Sequence, residues 1–258
     1  AQADLNAELS AVCDIWRPNR EKAAKWATET FKKAPRQTSD YRELLAAKDL
    51  DAVIIATPDF GHSTLLRLAF EAGKDVYCEK PFGTEFTRAQ AAYLTVKNSD
   101  RVVQIGTQRR SDPGHFPAAR FLAEGHLGKI TRITVDVGFQ HGRWDRPYQD
   151  VRRDDVNWDF FLLDQGSVPF NPRLLRQWQL FRPTTNGIGG LWMCHLVDMV
   201  HWFTQELYPA GAVANGGVYY WKDGRDTADV FHALLDYPKE FLFSFAMTLD
   251  NAASNAIN

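Results

Sequence analysis

Between Glu8 and Gly106 short apolar runs alternate with longer segments of helical spacing, and this alternation restricts the fold more than any other feature. DAVIIAT (51–57) is a continuous run of β-branched and small apolar residues, bounded by Pro58 and Gly61. It reads as a strand covered on both faces. HSTLLRLAFEAG follows as a helix stopped by Gly73, then DVYCE as a strand, FTRAQAAYLTVKN as a helix and RVVQIGT as a strand. Upstream, ELSAVCD reads as a strand closed by an acid, and REKAAKWATETFKKA as a helix with Pro18 and Asn19 at its start. RQTSDYRE reads as a solvated stretch. Strands in strict alternation with helices predict right-handed crossovers and a parallel sheet.

After Asp112 the pattern changes. A helix (PGHFPAARFLAEG) precedes the strand-like KITRITVDVGF, and an aromatic-rich stretch runs from Trp144 to Phe181. A second helix, LWMCHLVDMVHWF, leads into AVANGGVYYW, DVFHALLDY and EFLFSFAMTL, joined by the short turns KDGR and PKE. Successive strands joined by tight turns predict antiparallel pairing. The expected fold is therefore α/β: a partial Rossmann-like parallel-sheet domain (1–112), followed by an α+β domain (113–258) with a large, mostly antiparallel sheet.

Charge and composition exclude several partners. The net charge is −2 and the basic residues are interspersed with acids, so neither nucleic acid nor a membrane surface is an expected partner. No run approaches the roughly 18 apolar residues that a membrane helix needs. Three cysteines (Cys13, Cys78 and Cys194) are too sparse for a disulfide framework, and no CxxC pair suggests zinc.

In open parallel sheets, ligands meet the carboxyl ends of the strands. Asp14 closes the first strand and suits the ribose hydroxyls of a dinucleotide, favouring NAD; Arg17 nearby tolerates a phosphate and keeps NADP open. No glycine precedes Gly61, so the expected GxGxxG loop is missing. Because such a loop lies about 20 residues before the ribose acid, the expectation is that it sits upstream of Ala1. Thr57, Pro58 and His62 form a strand-to-helix turn able to present polar groups to a ligand. Glu79, Lys80 and Pro81 end a buried strand, which would fix the lysine stem and aim its amine into a cleft. A lysine beside apolar walls loses proton affinity and moves toward useful acid/base behaviour. A cis bond before Pro81 is open.

Asp14 after its strand, ATPDFGH, AGKDVYCEKPF and QIGTQRR, in this order and at these intervals, resemble the Gfo/Idh/MocA family of oxidoreductases. VNWDFFL, FNPRLLRQWQLF and HLVDMVHWF extend the resemblance downstream. The resemblance implies a nucleotide-binding Rossmann domain, a second domain with a large sheet, and an active site between them. It also implies that Lys80 bonds the reacting hydroxyl and assists proton transfer, that His195 is the acid/base partner, and that Asp14 holds the ribose. Thr57, Pro58 and His62 would approach the nicotinamide, and Glu79 would help seat it. Many members carry an aspartate four residues before the histidine; this chain has Leu191 there. Asp198, one turn beyond His195, offers either a replacement for it or a structural group. Arg109 and Arg143 are candidates for bonding hydroxyls or a carboxylate, and Trp158 is the candidate cleft aromatic.

The expected activity is NAD(P)-dependent hydride transfer to or from a sugar, cyclitol or related polyol. The alternatives are an NAD-dependent glycosidase of the same family and a non-catalytic nucleotide or sugar-binding protein. The resemblance also implies pairing through the open face of the large sheet; the apolar runs VYYW and FLFSFAM are consistent with burial on both faces, so a homodimer or homotetramer is expected.

Overall fold

The structure is a computed structural model that describes residues 7–163 and 165–251. Its first parallel pair is β1 (Ala11–Cys13) and β2 (Arg36–Thr38), with Val12 opposite Gln37. Between them runs α1 (Arg17–Phe31), with Pro18 in its first turn, where a missing N–H costs nothing. Helix α2 (Tyr41–Ala46) starts at Asp40, whose carboxylate accepts from the Arg42 amide. Both β2 and α2 lie in the stretch read from sequence as solvated. RQT carries no apolar period, and its assignment as a strand comes from pairing with β1.

The second parallel sheet has the order β3 (Ala52–Ile55), β4 (Asp75–Glu79), β5 (Val103–Gly106). Helices α3 (His62–Glu71) and α4 (Phe86–Val96) form the crossovers between them. Val53, Ile55, Val76 and Cys78 pack with Leu65, Leu66, Ala69 and Ala92 into one core. A fully buried side chain such as Leu66 contributes about 1.5–3 kcal/mol. Ile54, however, is 72% exposed, so β3 buries one face and not both.

Helix α5 (His115–Ala123) and β6 (Arg132–Gly138) begin the second half. α6 (Pro172–Arg176) follows, and a π-helical turn at Gly189–Met193 leads into α7 (Cys194–Thr204). Strands β7 (Gly211–Gly217), β8 (Val230–Tyr237) and β9 (Phe241–Thr248) complete a sheet of order β6-β9-β8-β7. β7, β8 and β9 pair antiparallel as expected, but β6 lies parallel to β9. KDGR is not a tight turn, because residues 218–229 form a long connection between β7 and β8. That connection is tied by the buried Asp229 carboxylate, which accepts from the amides of Tyr219, Tyr220 and Trp221.

Strand β9 alternates strictly. Phe241, Phe243, Phe245 and Met247 are buried in a core that includes Val200 of α7, while Leu242 stands on the outer face, partly exposed. Tyr219 and Tyr220 are exposed, so VYYW is not a buried strand in the single chain.

A third core joins the two halves of the sequence. Trp16 and Phe60 pack with Val151, Val156, Trp158, Phe161 and Leu162. Trp158 stacks on Phe161 with ring centres 4.3 Å apart, and its Nε1–H donates to the Val168 carbonyl at 2.7 Å. The residue expected to face the cleft is therefore a core residue. Trp158→Ala is expected to cost about 3–5 kcal/mol in denaturant unfolding, the range for deleting a large buried aromatic.

Candidate active site

A cavity of about 300 Å³ opens at the carboxyl ends of β3 and β4. Thr57, His62, Glu79 and Lys80 line it from the first half of the chain, and Leu191 and His195 from the π-turn and α7. It thus brings together six of the candidate residues singled out in the sequence: Thr57, His62, Glu79, Lys80, Arg143 and His195. A larger cavity, about 790 Å³, lies between α5, the end of α7 and the β8–β9 turn, and holds none of them.

Lys80 follows β4 directly, ahead of a cis peptide bond to Pro81. Its ammonium donates to the Leu191 carbonyl at 2.7 Å, a contact that spans the two halves of the chain. Leu191 thus meets the lysine through its backbone. Glu79 accepts from the Lys80 amide and from the Tyr77 hydroxyl, each at 3.3 Å. A Cβ on Gly106 would come within 2.5 Å of the Tyr77 hydroxyl and 3.2 Å of Glu79 Oε1, so the end of β5 must be glycine for this pair to fit.

His62 is buried, with Nδ1 at 2.7 Å from the Pro81 carbonyl and Nε2 at 2.8 Å from the Thr57 carbonyl. Both partners are acceptors, which is the bonding pattern of an imidazolium. Burial opposes this and draws the ring's pKa down. An imidazolium donates to both carbonyls and a neutral ring to one of them, so His62 sits as a clamp between the turn at Thr57 and the backbone that follows Lys80.

His195 differs. Burial pushes its pKa down to about 4; the charges of Lys80 and Arg109 add to this and Asp198 opposes it. At neutral pH the ring is uncharged and able to accept a proton. Asp198 does not orient it, since both carboxylate oxygens accept from Arg110 Nε, at 2.8 and 3.0 Å. Arg109 acts on His195 through its charge but does not line the cavity.

Asp14 sits at the end of β1, where its carboxylate accepts from the Trp16 amide at 2.8 Å and from Asn19. Burial raises its pKa. Arg17 pairs with the buried Asp155. Pro58 lies in the turn just before the cavity wall.

Sequence reasoning missed Asp59. It is almost fully buried, and its Oδ2 accepts from the Thr185 hydroxyl at 2.9 Å. Oδ1 has no partner. Desolvation pushes its pKa up to about 7, against the hydrogen bond from Thr185 and the charge of Lys80. An aspartate after proline reads as a helix cap, and nothing local signals that its side chain turns inward.

Residues 1–107 match the family model for GFO_IDH_MocA, described as an oxidoreductase family with an NAD-binding Rossmann fold. Over these residues the chain belongs to the Gfo/Idh/MocA family of oxidoreductases. It is 36% identical to inositol 2-dehydrogenase of Rhizobium meliloti over 91 residues, which is 35% of this chain and 27% of that protein. It is 34% identical to levoglucosan dehydrogenase of Pseudarthrobacter phenanthrenivorans over 178 residues, covering 68% of this chain and 38% of that one. The solved structure of a levoglucosan dehydrogenase in complex with NADH superposes with a TM-score of 0.70 at 20% identity, over 96% of this chain and 59% of that one. That likeness supports the fold, a parallel Rossmann-like sheet with a separate, mostly antiparallel one. The chain spans less than two thirds of the length of each of these three relatives.

Proposed function

We propose that the protein transfers a hydride between a nicotinamide cofactor, NAD in preference to NADP, and a hydroxyl-bearing carbon of a sugar, cyclitol or related polyol. The observation that carries this reading is one cavity walled by a lysine ammonium and a neutral histidine, at the carboxyl edge of a parallel sheet. The residues present fit the cofactor. Asp14 ends β1 as an acceptor for ribose hydroxyls, and the Thr57 hydroxyl bonds no other described residue. Glu79 and Lys80, on the cavity wall, would flank the nicotinamide. Pairing of Arg17 with Asp155 leaves it less able to hold the extra phosphate of NADP.

When bound, the dinucleotide supplies the hydride acceptor. The chain supplies the proton chemistry. His195 accepts the hydroxyl proton as the hydride leaves the same carbon, and the Lys80 ammonium donates a hydrogen bond to the oxygen as its negative charge grows. The Leu191 carbonyl and the His62 clamp hold Lys80 while this happens. We divide the chain near residue 112 into a cofactor half and a substrate half. We also assign the outer face of the four-stranded sheet to a homodimer or homotetramer contact, which size-exclusion chromatography tests by finding more than a monomer.

The reading is tested by mixing the protein with NAD and a panel of sugars and polyols while following reduced nicotinamide. Sustained reduction supports it. Release of sugar from a glycoside with no net reduction would assign the glycosidase chemistry instead, and binding with no turnover a sensor. For an active substrate, the acid limb of kcat/KM is expected near pH 4, because His195 must be neutral to accept the proton. An acid limb at the ordinary histidine value of 6.5 would show that burial does not depress the His195 pKa, and a limb unchanged in His195→Gln would remove His195 as the base.

A further inference from the structure

Arg143 lines the same cavity as Lys80 and His195, and it differs from Arg173, Arg176 and Arg225 in the elements around it. Arg225 pairs with Asp223, Arg173 bonds Gln177 and the Asp223 carbonyl, and Arg176 bonds the Pro147 carbonyl. The Arg143 guanidinium has no hydrogen bond or ion pair to any described residue, and its Nε is buried without a partner. Its central carbon lies 4.5 Å from the ring centre of Phe139 and 4.6 Å from that of Trp192, with Trp144 further out. Aromatic rings take the faces of the guanidinium and leave its N–H edges for an acceptor.

The loop that carries it is anchored and strained. The Gly142 carbonyl accepts from the buried Arg225 at 3.2 Å, and a Cβ on Gly142 would crowd the Trp221 ring at 3.3 Å. Gln177 donates to Asp145 Oδ1 at 2.5 Å and to the Arg146 carbonyl at 2.8 Å, so the nearest acid in the loop is already engaged. Trp144 has φ of +68°, a left-handed conformation that an aromatic residue rarely adopts. Strain of this kind persists where the surroundings over-determine it.

The charge balance of the cavity points the same way. Lys80 and Arg143 are its cations, while Glu79 is its single carboxylate and is bonded to Tyr77 and to the Lys80 amide. With His195 neutral, the wall carries one excess positive charge. We propose that Arg143 binds a carboxylate of the substrate through its free N–H edge, so that the compound oxidised is a sugar acid such as a uronate or aldonate. This deepens the reading above and rests on it. A planar guanidinium matches a planar carboxylate bidentately, and charge-assisted bonds in a buried site are the strong ones.

The test compares kcat/KM for glucuronate and glucose, and for galacturonate and galactose, with glucose 6-phosphate as an anion of different shape. The protein is expected to prefer each uronate by about tenfold or more, the range of a buried charged hydrogen bond. Arg143→Gln is expected to shrink that ratio by a similar factor, mainly through KM, and Arg143→Lys to restore part of it. Equal or better use of the neutral sugars, preference for the phosphate, or a ratio unmoved in Arg143→Gln would each overturn the assignment. Calorimetric binding of glucuronate against glucose reads the same preference without turnover. If no compound reduces NAD but glucuronate binds through Arg143, hydride transfer fails while the carboxylate site stands. If neutral polyols are oxidised best, the reverse holds.

Discussion

Lys80→Ala is expected to lower kcat by two to four orders of magnitude, the usual contribution of a positioned acid/base group. The cause is local. The ammonium would lie beside the oxygen that gains charge as hydride leaves, and no other described cation lines the cavity except Arg143. The loss should appear in kcat more than in KM, because the bond strengthens as the transition state forms. Cofactor binding, followed by quenching of protein fluorescence, should change little, since Asp14 and the Thr57 turn lie outside the substitution. Removing the ammonium also removes its bond to the Leu191 carbonyl, so urea unfolding is measured on each variant, and Lys80→Met, which keeps the aliphatic stem, separates loss of the charge from loss of packing. Turnover unchanged in both variants would take Lys80 out of the mechanism.

The second large effect concerns Asp59 and the pH dependence of stability. In the folded protein its pKa is raised from 3.8 to about 7 because the carboxyl is stripped of water. Folded protein therefore holds a proton across a window, from about pH 4 to about pH 7, in which the unfolded chain has released it. Stability from this group is fully present below the window and falls as pH rises through it. Between pH 5 and pH 8 the loss is on the order of 3 kcal/mol. Asp59→Asn cannot ionise, so its stability should lack this component. Urea unfolding at the two pH values is expected to show the variant gaining on the parent as pH rises, even if the unpartnered amide lowers its stability overall. An identical pH dependence in the two proteins would show that Asp59 is an ordinary ionised carboxylate.

The parts of the fold that were legible in the sequence are those whose signal is local. DAVII, DVYCE and VVQIG announce themselves by β-branched runs between turn residues, and Pro18 marks a helix start wherever it stands. RQT has no such pattern and becomes a strand only beside β1. The parallel seating of β6 on β9 was equally hidden, since two strands a hundred residues apart choose direction through packing and not through the turn between neighbours.

The site divides in the same way. Lys80, Glu79 and Thr57 were legible because a strand end followed by a turn dictates where the next side chain goes, and the cavity lies at those ends. Burial was not legible. Trp158 is buried once the segment 151–162 folds back onto the parallel half, and Asp59 once Thr185 is brought against its carboxylate. His62 became a clamp, and Asp198 went to Arg110, through contacts 19 and 88 residues apart in the chain. The sequence by itself determined the alternation of strand and helix, and with it the edge at which chemistry can occur, because backbone direction and side-chain period are local properties. Only the tertiary structure decided which polar groups lose water and which charged groups find partners. Desolvation and charge depend on atoms brought together from distant parts of the chain.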